Sequence, residues 1–140
     1  MTILQARRYQ PRDADLTAVA ASGLAAAWTA YTPTITAGTG SFTTVSASGR
    51  YLRMGKVILI AIQITITTNG TAATYIRATL PATAGPMIQH LLGADTALTG
   101  KFVRGQIYAS TALMDLFFES NSYPGASGAT IYVSGSYEAA

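Results

Sequence analysis

Between Lys56 and Thr67 the chain reads KVILIAIQITIT, with isoleucine at every second position from Ile58 to Ile66. Successive side chains of a strand point to opposite faces, so this spacing predicts a β-strand with one face in a hydrophobic core. The opposite face carries Val57, Leu59, Ala61, Gln63 and Thr65 and grades from apolar to polar along its length. The apolar run is broken by Gln63 and falls far short of the roughly 20 residues that a membrane-spanning helix needs, so no membrane insertion is expected.

A chain with that strand needs others to pair with it, and the composition supplies them. Thr, Ala, Gly and Ser make up 68 of the 140 residues, which favours strands and turns over helices. Asn69-Gly70 predicts a tight two-residue hairpin turn with ATYIRATL as the return strand. Upstream, Ser48-Gly49 and Gly55-Lys56 separate FTTVSA, RYLRM and the isoleucine strand at hairpin spacing, which predicts an antiparallel meander. Further strands are expected over Met87 to Leu92, Gly100 to Ala109, Leu113 to Glu119 and Thr130 to Glu138. About eight short strands in one domain point to an all-β, antiparallel β-sandwich of jelly-roll type.

The first 27 residues read differently. ADLTAVAASGLAAAW is rich in alanine, with Asp13 or Asp15 as an N-cap and Gly23 as a stop, so one short helix or an extended linker is expected there. About two turns of helix are unstable alone in water. Leu16, Val19 and Leu24 are therefore the candidates for docking on a sister subunit or another protein. The organisation that follows is an attachment and oligomerisation segment over 1–27 and a β-domain over 28–140. The N-terminal arginines follow the short apolar stretch, the reverse of a secretory signal, and export by that route is not expected.

The chemistry-bearing inventory is thin. There is no cysteine, hence no disulfide and no thiolate. His90 is the one histidine; it can be written into a triad with Ser110 or Ser120 and Asp95, but no nucleophile elbow surrounds either serine. Asp115 and Glu119 would lie on one face of a strand about 13 Å apart, too wide for a glycosidase pair. No metal-ligand spacing and no cofactor motif is present, and Gly38-Thr39-Gly40 lacks the third glycine and the helix of a phosphate cradle. The net charge of +3 comes from Arg7, Arg8 and Arg12, after which six basic residues face six acidic ones. That is a poor footprint for nucleic acid. Among the aromatics, Tyr123 stands beside Pro124-Gly125 in a loop and is the candidate glycan platform, whereas Tyr51, Tyr75, Tyr108 and Tyr132 alternate along strands and are expected in the core.

Three stretches resemble phage tail proteins. YQPRDADLTAVAA (9–21) is similar to a segment that precedes new domains in tail fibres and related receptor-binding proteins. Residues 27–71 resemble the opening of a small β-sandwich module of phage virion proteins, with its W-x-x-Y-T-P-T, G-R-Y and G-K landmarks. YPGASGATIYVSGSYEA (123–139) resembles the last loop and strand of that module. The resemblance implies a non-enzymatic virion component, assembled in the host cytoplasm as part of a tail tip, fibre or other projecting appendage. It also implies a homo-oligomer, commonly a trimer, among other virion structural proteins. Two alternatives stay open: a carbohydrate-binding module that reads a host surface glycan, and a head or tail decoration protein.

Overall fold

A computed structural model of the chain describes residues 27–140 and, before them, Thr17, Ala18 and Ala21. Those three positions have helical backbone and are exposed. The other residues before Ala27, Leu16, Val19 and Leu24 among them, lie outside the described residues, and the expected helix or extended linker falls on them.

Nine strands form among the described residues: β1 (Thr29–Tyr31), β2 (Ile35–Thr39), β3 (Thr44–Met54), β4 (Val57–Thr68), β5 (Ala73–Thr79), β6 (Gln89–Asp95), β7 (Phe102–Ile107), β8 (Leu113–Phe118) and β9 (Ala129–Glu138). All pairings are antiparallel, in the order β1-β3-β4-β9-β6-β7-β8-β5-β2. The all-β, antiparallel class is as the sequence implies. The two-sheet arrangement is not what hydrogen bonding shows, because a single sheet curls into a half-barrel. β9 is the reason: it pairs with β4 from Ala129 to Glu138 and also with β6 from Ile131 to Ser134, and so joins what would be separate sheets. Gly135, φ +151°, follows within β9, and Leu91 packs so closely there that an added Cβ would sit 2.9 Å from it. The pairing of β6 with β9 ends one residue earlier, at Leu92 and Ser134, while β4 stays paired with β9 to Glu138.

The isoleucine row is the core stripe. Ile58, Ile60, Ile62, Ile64 and Ile66 are each at most 2% exposed; Ile131 and Val133 of neighbouring β9 extend the stripe, and Ile76 of β5 and Leu116 of β8 belong to the same core cluster. Each such side chain contributes about 1.5–3 kcal/mol by leaving water.

Two local expectations fail. Asn69-Gly70 does not close a hairpin: β5 pairs with β8 and β2, not with β4. Both edges of β4 are already occupied, by β3 through the Gly55-Lys56 hairpin and by β9. Only Gly70 takes a positive φ (+64°), whereas a type I′ turn needs two such residues. The turn, closed by Ala72 N–H to Asn69 C=O at 3.3 Å, carries the chain across the core instead. Ser48-Gly49 is also no turn, because β3 runs through it without a break. Gly49 lies under the Tyr31 ring, where a Cβ would come within 2.5 Å of Cε1, so the glycine serves close packing.

Candidate functional site

The residues that could be written into a triad are kept apart by strand parity. Asp95 points to the buried side of β6, whereas His90 is on the exposed side, opposite Gln106 of β7. Asp95 is spent on its own turn. Its carboxylate accepts from Ala97 N (3.2 Å), Leu98 N (3.4 Å), Thr99 N (3.0 Å) and Thr99 Oγ1 (2.9 Å). Burial pushes this carboxyl upward, but the bonds from Thr99, Leu98 and Ala97 outweigh it and hold the group below its usual range. Ser110 is a turn residue at φ +57°, with its N–H donating to Gly85 C=O, and Ser120 shares a hydrogen bond with Ser122. Asp115 and Glu119 do not converge either. Asp115 is held by Arg77, Nε to Oδ1 at 2.6 Å and Nη2 to Oδ2 at 2.8 Å, while Glu119 is exposed beyond the strand. Gly38 and Thr39 belong to edge strand β2, with a register irregularity between Ala37 and Thr39.

The tyrosines also sort by parity. Tyr51 packs against the core and meets Tyr31 edge-on, with centroids 5.8 Å apart. Tyr75 and Tyr132 are not in the core that alternation along their strands implies: they alternate with buried Ile76 and with Ile131 and Val133, so they face outward. Tyr108 likewise follows buried Ile107 and turns to Asp115. The core tyrosine is Tyr137, 2% exposed, its hydroxyl donating to Ala82 C=O at 3.0 Å. Tyr123 is half-buried against the core, and its hydroxyl donates to Asn69 Oδ1 at 2.6 Å. Its polar end is thus committed within the fold.

The outer face divides into two halves of different character. Over β5, β8 and β7 the cations already have partners: Arg77 has Asp115 and lies 5.0 Å from the Tyr75 ring, and Arg104 has Asn121 and the Phe117 ring. Over β3, β4 and β9 the outward polar side chains make no hydrogen bond to a described residue. Two cross-strand rows lie next to each other there, Arg50–Ala61–Ser134 and Ser48–Gln63–Tyr132. Ala61 and Ser134 are small where their neighbours are large, which leaves an open groove of about 580 Å³. Arg50 forms one wall, its guanidinium 5.0 Å over the Trp28 ring, and Tyr132, 46% exposed, forms the other. The side chains of Ser48, Gln63, Tyr132 and Ser134 make no hydrogen bond to any described residue, and Arg50 has no carboxylate partner among them. The sequence shows Ala61 and Gln63 as the outward face of β4. It does not reveal that β9, about 70 residues later, brings Tyr132 beside them.

Across the row, Leu92 (68% exposed) and Phe102 (63%) flank Ala94 together with Tyr132, giving an apolar patch on β9, β6 and β7. Among the described residues no cluster of histidine and carboxylates suits a metal ion, and no helix is long and apolar enough to cross a membrane. No family model matches the chain, and neither curated proteins nor solved structures give a match.

Proposed function

We propose that the chain is a non-enzymatic structural module of a bacteriophage virion, a subunit of a tail fibre, tail tip or other projecting appendage. In this reading the curled sheet serves as a jelly-roll-like sandwich, β1-β3-β4-β9 facing β6-β7-β8-β5-β2 across the isoleucine core. Residues 1–27 attach it to the particle or to sister subunits through Leu16, Val19 and Leu24. Support comes from the three tail-protein-like stretches of the sequence. The structural observation that carries most weight is the outer face, where Leu92 of β6 and Phe102 of β7 are exposed together. Large apolar groups gathered on one solvent-facing patch suit a surface built for contact, while the carboxylates Asp95 and Asp115 are spent on a turn and an ion pair.

The test is quantitative mass spectrometry of purified particles from the host that expresses the chain. A fixed copy number per particle, in a small multiple consistent with an appendage, is expected. Absence of the chain from washed particles rejects the reading.

A further inference from the structure

We propose that the groove between Arg50 and Tyr132 is a binding site for an acidic sugar, a pyranose carrying a carboxylate. Three independent features point to that ligand. The first is size. Arg50 and Tyr132 stand two strands apart and one row apart, so their Cα atoms are about 12 Å from each other by sheet geometry. Ala61 and Ser134 form the floor between them, and that span takes one ring lying flat. The second is chemistry. Tyr132 offers an aromatic ring suited to the C–H face of a pyranose, and Gln63, Ser48 and Ser134 offer hydroxyl and amide groups with no partner among the described residues. A few placed polar groups around an apolar surface are what fixes the orientation of a small ligand.

The third is charge. Arg50 lines the groove, and no carboxylate does. Its guanidinium is held from behind by the Trp28 ring, which favours one orientation without neutralising it. Arg77, by contrast, is neutralised by Asp115. A planar cation with free N–H donors is matched by a carboxylate, which accepts two parallel bonds from it. The carboxylate of a sialic acid and that of a uronic acid offer the same chemistry, and the experiment separates them. The site rests on the appendage reading only for where such a glycan would be met, on a host surface. The binding measurement uses isolated protein, so its failure and the absence of the chain from particles are different results.

The test is calorimetric or NMR titration of the full chain with sialyllactose and with trigalacturonate, each beside its carboxyl methyl ester, at up to about 10 mM ligand. Saturable binding of one of the two acids is expected, weakened about tenfold or more by esterification, which removes the charge alone. Arg50→Gln should weaken binding by a similar factor, Arg50→Lys should restore part of it, and Tyr132→Ala should abolish it. Both side chains are exposed, so circular dichroism and melting temperature should stay at parent values. Equal binding of acid and ester, indifference to Arg50→Gln, or no saturable binding of either acid would overturn the proposal. If a variant does unfold, titration of the parent protein with acid and ester still decides it.

Discussion

The Tyr123 hydroxyl donates to Asn69 Oδ1 at 2.6 Å and ties the loop before β9 to the turn after β4, 54 residues away in sequence. Asn69 completes the link by donating from Nδ2 to Ala72 C=O at 2.9 Å. Burial pushes the Tyr123 hydroxyl up to about 12 from its usual 10. The folded state therefore keeps its proton at a pH where the unfolded chain has begun to lose it. Stability from this group is complete below about pH 10 and declines as pH rises toward about 12. Tyr123→Phe should cost about 0.5–1.5 kcal/mol near neutrality, and it should lose part of the alkaline decline. Tyr31, Tyr137 and Tyr108, each raised chiefly by burial, contribute to the decline as well. Urea denaturation at about pH 8 and about pH 11 measures both effects. An identical pH slope in parent and variant would show that Tyr123 ionises as freely in the fold as outside it.

Arg77 and Asp115 make the one ion pair found among the described residues, with Asp115 1% and Arg77 34% exposed. Removing the cation alone strands a buried carboxylate. Arg77→Met should therefore destabilise by about 2–4 kcal/mol, the lower part of that range reflecting solvent at the arginine. The double variant Arg77→Met/Asp115→Leu should recover most of the loss, since neither buried charge remains. Strict additivity in the cycle would mean that the two side chains act independently.

Gly70 and Gly55 both have positive φ, +64° and +59°, but differ in surroundings. A Cβ at Gly70 would sit 2.7 Å from the Ser41 carbonyl oxygen and 2.7 Å from Thr43 Oγ1, while at Gly55 nothing lies within 4 Å. Gly55→Ala should thus cost only the backbone strain, about 1 kcal/mol. Gly70→Val adds the clash and should cost about 3 kcal/mol. Melting temperatures of the two variants check the difference, and equal losses would place the strain in the backbone alone.

Ile62 faces Gly49 on one neighbour and Val133 on the other and is 2% exposed. Ile62→Ala should leave a cavity at the middle of the stripe and cost about 2–5 kcal/mol. Ile62→Asp should not fold. A soluble, cooperatively melting aspartate variant would mean that the inner and outer faces of β4 are exchanged.

The inner face of the fold was legible because isoleucine recurs five times at period two, a signal no helix can produce. Elsewhere local chemistry could not decide. Asn69-Gly70 is a good turn, but whether the next strand returns beside β4 depends on competition for the edges of β4, and β9 wins that position with ten paired residues. β1 and β2, three and five residues long, are too short for periodicity and exist through pairing with β3 and β5. In β9 the consecutive residues Ile131, Tyr132 and Val133 are all apolar in body, so alternation gives no direction. The register with β4 turns Tyr132 outward. The candidate groove was hidden for the same reason, since its walls come from strands far apart in sequence.

The surface predicts association. Charged residues are 11% of the chain, against about 25% in an ordinary domain, and Leu92 and Phe102 stand 68% and 63% exposed beside Tyr132. We expect a homo-oligomer, with three subunits implied by the tail-protein resemblance. Two alterations separate the sources of assembly. If the sheet face carries it, Leu92→Ser/Phe102→Ser should lower the mass measured by light scattering at about 50 µM protein while leaving the melting transition cooperative. If Leu16, Val19 and Leu24 carry it, a chain beginning at Ala27 should dissociate and the double serine variant should not. Dissociation by both would place the contacts in one continuous interface. A full-length protein that remains monomeric at that concentration defeats the oligomer and leaves the apolar patch free for a different partner.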